Sequence, residues 1–461
     1  MRLSLSASLA LVCVLSVLSP SAFGQNNGGG NGGGNGGGFG PQAAGIEIDA
    51  AGRARIVKFD NRALAERIAA QKAALAPELA RPSKLRKVSL NRLESVVAEK
   101  LRKGETISDE IKYVAGLTSI EYVFYFPETH DVVIAGPAEG FVVDISGRPL
   151  GMNSGRCVLE LQDIIAALRS FPPEGKASNT IMVSIDPTQE GLARLNQYMS
   201  EVKPRPQDDQ RFAAGMRDAL GQQVVTVKGI SPRTHFAQVL VEADYRMKLI
   251  AIGLESPPAK IKSYVERANP STVSQNAMER FYFMTHFDEI RVSEDRSAMQ
   301  LVGNAVKLVG EHERVTADGG RVAQAKVNGA AQEFCKQFSD KFAELADKSP
   351  IYGQLRNLVS MSVVAAYLRE NNIYSLANWK LETFGDESIT PVEVNRAPTH
   401  VDTAVNVIWR GQKLMTPIGG GVRVRPTDAL SPGKIQVNPE VAETKDKIKV
   451  ADLAADVWWW D

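Results

Sequence analysis

The sequence predicts an α+β protein of several domains, with mixed and antiparallel sheets, covering helices and an αα-hairpin in its C-terminal part. Three observations support this class. Short β-rich runs separated by turn residues occupy 122–145. A strand–helix–helix–strand–helix order follows over 177–260. Two strong helical patterns, 331–347 and 351–370, are joined only by "KSP", which is typical of an αα-hairpin.

The first 24 residues have the features of a secretory signal. Arg2 supplies a positive charge, and Leu3 to Leu18 form an apolar run about one signal core long. Ala22-Phe23-Gly24 fits a small-x-small cleavage site. No later run is apolar enough to cross a bilayer, so we expect an exported, soluble protein located in the periplasm or secreted, with no transmembrane segment.

Composition shifts and Pro/Gly-rich breaks predict the domain boundaries. The glycine- and asparagine-rich run at 25–40 has almost no apolar side chains and is interpreted as a flexible tether. The predicted segments are a signal peptide at 1–24, the tether at 25–40, an α+β domain with a β-meander at 41–175, a central α+β domain at 176–325, a helical hairpin with strands at 326–439, and a polar, Trp-ended tail at 440–461.

Within the N-terminal domain, 46–59 predict a β-hairpin, and helical patterns follow at 60–76 and 90–102. Ser89 is the expected N-cap of the second helix, and Gly104 stands where a helix end favours a left-handed residue. A further helix is expected at about 157–170, covering the meander.

The helix expected at 234–254 carries one apolar stripe about 100° wide. Thr234 is a natural N-cap, which places His235 at the first helical position. Glu242–Arg246 and Asp244–Lys248 are i, i+4 pairs with the acid first, the favourable order. We interpret them as surface pairs that support the helix.

Chemistry-bearing residues are few and form no recognised motif. The chain lacks H-E-x-x-H, C-x-x-C, G-x-S-x-G and Walker A patterns. If the protein were an enzyme, the best catalytic candidates would be His235, Glu242 and Arg246, with His286 and Asp288 able to converge on them. No local ligand spacing predicts a metal site, and no cofactor is expected.

Four of the five histidines follow a threonine: Thr129-His130, Thr234-His235, Thr285-His286 and Thr399-His400. Each pair stands at an expected element boundary, where threonine bonds to local backbone groups. This accounts for the threonines and leaves the histidines without an explanation.

Two surface regions are candidates for binding a partner. Arg53–Lys103 holds 14 Lys/Arg against 5 Asp/Glu, although the whole chain has a formal charge of only +1. Its densest part contains Arg81, Lys84, Arg86 and Lys87, and the alternative interpretation is an ordinary solvated helix face. Basic residues and aromatics are not interleaved there, so no nucleic-acid partner is expected.

The second region is the sequence "DVWWWD", in which Trp458, Trp459 and Trp460 could dock on an envelope polymer or envelope protein, or pack on their own domain.

Cys157 and Cys335 are the cysteines beyond the signal segment. Each lies on an apolar stripe at helical spacing, so we expect two buried thiols, with a disulfide as the less favoured alternative.

The segments "SIDPTQEGLARLNQYM" and "THFAQVLVEADYRMKLIAIGLE" and, more weakly, "FYFPETHDVVIAGPAEG" resemble a family of uncharacterised exported proteins, a domain of unknown function typical of planctomycete bacteria. The resemblance is strongest over Ser178 to Leu254. It implies export and a bacterial source, and it implies no activity, cofactor or binding residue.

Two functional hypotheses follow. The first is a non-catalytic binding or scaffold protein of the envelope or periplasm, motivated by the tether, the basic segment and the Trp-rich tail. The second is an exported enzyme of unrecognised type, such as a metal-dependent hydrolase.

Overall fold

The α+β class is confirmed by a computed structural model, in which helices cover mixed sheets. The structure describes residues 43–48, 52–58, 64–144, 146–203, 208–268, 277–315, 321–323, 328–406, 408–410, 413–415 and 421–461. The predicted signal peptide and tether lie outside these residues. In the described part of the chain, no helix is both long and apolar enough to cross a membrane.

The strands are short and distributed along the whole described chain. They are β1 (Ala43–Ile48), β2 (Arg53–Lys58), β3 (Ser83–Ser89), β4 (Tyr122–Phe126), β5 (Asp131–Ala138), β6 (Phe141–Val143), β7 (Pro149–Gly151), β8 (Ile181–Asp186), β9 (Gln223–Lys228), β10 (Ala277–Thr285), β11 (Glu289–Val292), β12 (Ala298–Val302), β13 (Val306–Val315), β14 (Arg321–Ala323), β15 (His400–Val401), β16 (Ile408–Arg410), β17 (Lys413–Met415), β18 (Gly421–Val424), β19 (Ile435–Val437) and β20 (Trp459–Trp460).

The helices range from single turns to a long core helix. They are α1 (Leu64–Ala74), α2 (Pro77–Ala80), α3 (Leu90–Arg102), α4 (Asp109–Lys112), α5 (Leu161–Ser170), α6 (Gln189–Glu201), α7 (Asp209–Leu220), α8 (His235–Ala251), α9 (Tyr264–Arg267), α10 (Gly329–Asp340), α11 (Phe342–Lys348), α12 (Pro350–Glu370), α13 (Ile373–Leu376), α14 (Pro426–Ala429) and α15 (Pro439–Asp446).

Two large mixed sheets organise the protein. The first has the order β1-β2-β15-β9-β8-β18-β10-β13-β14, and the second has the order β19-β11-β12-β4-β5-β3-β20. Most neighbours are antiparallel, whereas β10–β18, β2–β15 and β11–β19 are parallel. Both sheets combine strands from both sides of the predicted boundaries at 175/176 and 325/326. These two boundaries therefore remain predictions of where independently folding segments meet.

Local signals placed the elements of the N-terminal part correctly. β1 and β2 pair as the predicted antiparallel hairpin. Ser89 caps α3, its side chain accepting a hydrogen bond from the Arg92 amide, and Gly104 follows the helix with φ of +71°. The left-handed conformation of Gly104 suits a residue without Cβ.

The predicted helical hairpin is present, with one change. The expected first helix is divided at Lys341 into α10 and α11, and α11 packs against α12. Phe334, Phe338 and Phe342 keep their predicted core role, because all three are fully buried and contact the ring of Tyr352 or of each other. The aromatic stripe therefore continues across the break.

The helix expected at 157–170 begins later than predicted. α5 starts at Leu161, and Cys157 lies before it in an extended segment bridged to Leu150. Cys157 and Cys335 are both free and buried, in separate elements. Burial raises the pKa of each thiol to about 12. Neither cysteine therefore has the acidic, reactive thiol that nucleophilic catalysis uses.

The tail packs on its own chain. β20 pairs with the outer edge of β3, and the Trp458 ring is buried. The Trp459 indole N–H donates to a Glu110 carboxylate oxygen at 2.5 Å. Of the two interpretations of the Trp-ended tail, the structure therefore shows the internal one.

Arg86 anchors this tail from inside the protein. Its side chain is 0% exposed and makes two hydrogen bonds, each of 2.8 Å, to the Asp461 carboxylate. It also donates to the Ala115 carbonyl at 2.7 Å, and its guanidinium lies 4.5 Å from the Trp459 ring centroid. A bidentate pair of this kind has both charge and geometric specificity.

Replacing Asp461 by Asn should lower the free energy of unfolding by about 2–3 kcal/mol, because it leaves the buried Arg86 cation without its counter-ion. Urea unfolding at pH 7 measures the change. Asp456→Asn, at an exposed tail position, is the matched control and should change stability by less than about 0.5 kcal/mol. Equal midpoints for the two variants would show that the ion pair does not anchor the tail.

Candidate functional site

Helix α8 begins as its sequence predicts. The Thr234 hydroxyl accepts a hydrogen bond from the Ala237 amide at 3.2 Å, and His235 is the first helical residue. Glu160 precedes α5 and Asp163 lies in its first turn. The N-terminal ends of α5 and α8 thus bring a histidine and two carboxylates together, and carboxylates are favoured near helix N-termini.

His235 lies between these two carboxylates. Its Nδ1 is 2.9 Å and 3.1 Å from the two Asp163 oxygens, and its Nε2 is 3.8 Å from Glu160 Oε1. Burial lowers the pKa of His235, but the Asp163 and Glu160 carboxylates outweigh it and raise the pKa to about 9. The imidazole is therefore a cation at neutral pH, and the three side chains form an acid–base–acid bridge.

This bridge continues into the core through α12. The Gln354 side-chain amide donates to Glu160 Oε1 at 3.2 Å. The oxygen of the same amide accepts from Arg148 Nε at 2.9 Å. Arg148 also donates to Glu242 Oε2 at 2.5 Å, so the network returns to α8 two turns beyond His235.

The far end of the network is a second set of ion pairs. Glu242 Oε1 lies 3.6 Å from an Arg246 nitrogen, and Arg246 donates to Glu255 Oε1 at 2.7 Å. We call the connected side chains the α8 network: His235, Glu160, Asp163, Gln354, Arg148, Glu242, Arg246 and Glu255. The structure thus links three sequence-predicted candidates, His235, Glu242 and Arg246, through side chains from other elements.

The interpretation of the α8 charges as surface pairs was wrong. Glu242, Asp244, Arg246 and Lys248 are all buried. α8 packs on α12 and α5 and also on strands β8 and β18 of the first sheet, so these charged side chains lie against other elements of the protein. The predicted i, i+4 contacts themselves are present.

Asp244 and Lys248 form a second buried pair on α8. Their charged atoms are 3.3 Å apart, and Lys248 also donates to the Ile185 carbonyl at 2.7 Å. Burial raises the pKa of Asp244 to about 6, and burial lowers the pKa of Lys248. The pair therefore connects the helix to β8 while keeping both charges out of water.

The donor atoms of Glu160, Asp163 and His235 lie within 4.8 Å of one another, which raises the question of a metal ion. The two carboxylates approach different ring nitrogens, however. An ion bound at either nitrogen would gain only one of them as a ligand, with the other orienting the ring. Structural zinc sites use four protein ligands and catalytic ones three, so the arrangement fits an imidazolium bridge better.

His286 and Asp288 do not join the network. They lie at the turn between β10 and β11, with His286 Nε2 and Asp288 Oδ1 3.9 Å apart and side chains 43% and 64% exposed. Within the described residues, no contact links them to His235. His130 and His400 stand at separate element boundaries. The recurring Thr-His pairs therefore do not assemble one site.

The basic candidates divide between surface and interior. Arg81 and Lys84 are exposed, whereas Lys87 is half-buried. Arg86 is inside, bound to Asp461. Only part of the basic cluster is therefore available to a partner.

Sequence reasoning missed five members of the α8 network: Arg148, Glu160, Asp163, Gln354 and Glu255. Arg148 follows a turn, and Asp163 sits among apolar residues of α5. A single acid on an apolar helical stripe is a weak signal of a buried partner. Nothing local in the sequence connects Arg148 with Glu242, 94 positions away.

A groove lies on another part of the molecule, between α3 and the turn Ala377–Thr383. Its volume is about 390 Å³, within the range of small-molecule pockets. Asn91, Arg92, Glu94 and Ser95 line one side, and Trp379 lies on the other.

Residues 183–264 match the model of a family described as "Protein of unknown function (DUF1598)". This confirms the expected resemblance to a domain of unknown function. The matched segment extends from within β8 to the start of α9 and includes all of α8. No curated protein and no solved structure matches the chain.

The bridge around His235 predicts a pH-dependent contribution to stability. The pKa of His235 is higher in the folded protein than in the unfolded chain. Its contribution to stability is therefore fully present below the unfolded pKa near 6.5, and it is lost as the pH rises through the folded pKa of about 9. The stability difference between wild type and His235→Gln should therefore shrink by up to about 3 kcal/mol from pH 6 to pH 10. Unfolding by guanidinium at several pH values measures it, and a constant difference would contradict the bridge.

The buried Asp244–Lys248 pair predicts non-additive mutations. Lys248→Met should destabilise by about 3 kcal/mol because Asp244 loses its counter-ion, and adding Asp244→Asn should restore at least half of the loss. Lys336→Met, which removes an exposed i, i+4 pair with Asp340, is the control and should cost less than about 1 kcal/mol. Additive losses in a double-mutant cycle would exclude a coupled pair.

Proposed function

We propose that the protein is exported and acts as a non-catalytic binding or scaffold protein of the bacterial envelope or periplasm. Export is supported by the charged start, the apolar run Leu3 to Leu18 and the small-x-small site ending at Gly24. The match to a domain of unknown function brings no activity that would argue otherwise.

The main support for this proposal is that the candidate catalytic residues are held in buried ion pairs. A general acid or base must exchange a proton with substrate, and its pKa works best near the operating pH. His235 is held as a cation between Asp163 and Glu160. Glu242 is bound by Arg148, and Arg246 by Glu255. These groups neutralise one another in the interior and are better suited to holding elements together than to attacking a substrate.

Features that suit binding lie elsewhere on the surface. Arg81 and Lys84 are exposed beside the edge of the second sheet. The groove beside α3 offers a concave polar surface of small-molecule size. Both support the binding hypothesis without requiring a chemical step.

An exported metal-dependent hydrolase is the second candidate. The observation that favours it is that Glu160, Asp163 and His235 each offer a potential metal-ligand atom, and these atoms lie within 4.8 Å of one another. It requires saturable binding of a divalent cation that is lost in His235→Ala, together with hydrolytic turnover lost in the same variant.

Fractionation of cells that express the tagged full chain tests the first proposal. We expect the protein outside the cytoplasm with Gln25 as its first residue by mass spectrometry, and bound to an envelope component in stoichiometric amount. Arg81→Glu with Lys84→Glu should weaken that association. Lys176→Glu, at another exposed position, should not.

Recovery of the protein from the cytoplasm with residues 1–24 still attached would contradict export. A partner-free protein with cation-dependent hydrolysis that is lost in His235→Ala would replace the binding proposal by the enzyme.

A further inference from the structure

The walls of the groove beside α3 are fixed by hydrogen bonds to buried side chains. The Glu94 carboxylate is buried and accepts hydrogen bonds from the Trp379 indole N–H and from the Thr383 and Phe384 amides, the last two at 2.7 Å. Three donors on one buried acceptor fix the turn Ala377–Thr383 against the helix.

The turn has an unusual backbone conformation. Asn378 and Leu381 have φ of +48° and +56°. Asn adopts this region readily, but a bulky residue such as Leu does so only with steric strain. The Glu94 hydrogen bonds lie on both sides of Leu381 and hold the turn in this shape, so the groove is formed before a ligand arrives.

The helical wall is fixed in the same way. Arg92 makes two hydrogen bonds to the Asp131 carboxylate, at 2.7 Å and 2.9 Å. Asn91 accepts from the Val132 amide at 3.0 Å and donates to the His130 carbonyl at 3.1 Å. These groups shape the groove and have most of their hydrogen-bonding capacity already used.

Other lining groups are available to a ligand. The side chains of Asn378, Lys380 and Glu382 are exposed, and within the described residues none has a hydrogen bond or ion pair. Ser95 donates to the Asn91 carbonyl at 3.0 Å and keeps its acceptor lone pairs. The available set contains both donors and acceptors, and its two charges cancel.

The side chains that line the groove restrict the class of ligand that it binds. The one large ring, Trp379, is only 6% exposed and its N–H is engaged by Glu94, so the groove has no stacking surface for a base. No excess of positive charge is present to hold a phosphate. A neutral ligand rich in hydroxyl and amide groups matches the available donors and acceptors.

We propose that the groove between α3 and the turn Ala377–Thr383 binds a neutral saccharide unit, with Ser95, Asn378, Lys380 and Glu382 making the polar contacts. The inference rests on the proposed binding function and gives it a site and a ligand class.

Isothermal titration of the full mature chain with a β-1,4-linked N-acetylglucosamine trimer tests this inference. We expect saturable binding. Ser95→Tyr should weaken it at least tenfold by filling the groove. Asn378→Gly, which removes the amide while tolerating the positive φ, should weaken it several-fold. Thermal unfolding checks that each variant folds.

Ser200→Tyr is the matched control. Ser200 is also an exposed helical serine whose hydroxyl donates to a backbone carbonyl, here of Gln197, and binding should be unchanged. Absence of saturable binding, or equal affinity in Ser95→Tyr, would overturn the saccharide site. Competition by acetate or inorganic phosphate would show an anion site instead. Envelope association that persists without saccharide binding would reject the groove while leaving the broader proposal intact.

Discussion

The interior of this protein depends on one electrostatic constraint, which is that α8 carries four charged residues at buried positions. Moving a charge from water into protein costs several kcal/mol unless opposite charges and hydrogen bonds offset the loss. Glu242, Asp244, Arg246 and Lys248 are buried, and each has an oppositely charged group within 4 Å. The surrounding elements are therefore required to supply partners in fixed positions.

Glu242 and His235 contact an ion-pair network that is supplied by segments far apart in the chain. Arg148 precedes β7, Glu160 and Asp163 belong to the start of α5, and Gln354 lies in α12. All four are outside the family-matched residues 183–264. Glu242 and His235 of the matched segment thus have counter-charges elsewhere in the chain, whereas Asp244–Lys248 and Arg246–Glu255 are pairs within the segment. These pairs account for charged side chains in a location where apolar ones are usual.

Buried charges also join distant segments at two other places in the structure. Arg86 is a buried cation that holds the tail through Asp461, and Glu94 is a buried anion that holds the turn beside the groove. In each case, one buried charge joins segments more than 280 residues apart. A broken buried pair costs more than a missing surface contact, so these charges specify long-range arrangement as well as contribute stability.

Local sequence signals predicted many of the elements and could not predict their surroundings. The N-caps Ser89 and Thr234, the hairpin β1–β2 and the aromatic stripe of α10 and α11 follow from residues close together in sequence. An i, i+4 pair such as Glu242–Arg246 gives the same pattern whether it is exposed or buried. Sheet order and the contact between Arg148 and Glu242 depend on long-range packing, which no local pattern encodes.

The protonation state of His235 shows whether α8 is held in place by internal charge neutralisation. Nitrogen-15 NMR of the imidazole in the intact protein at pH 7.5 reports both ring nitrogens separately. Internal charge neutralisation requires two protonated nitrogens, one with its proton directed toward Asp163 and the other with its proton directed toward Glu160. A neutral imidazole with one unprotonated nitrogen at this pH would contradict it and would restore His235 as a candidate base or metal ligand.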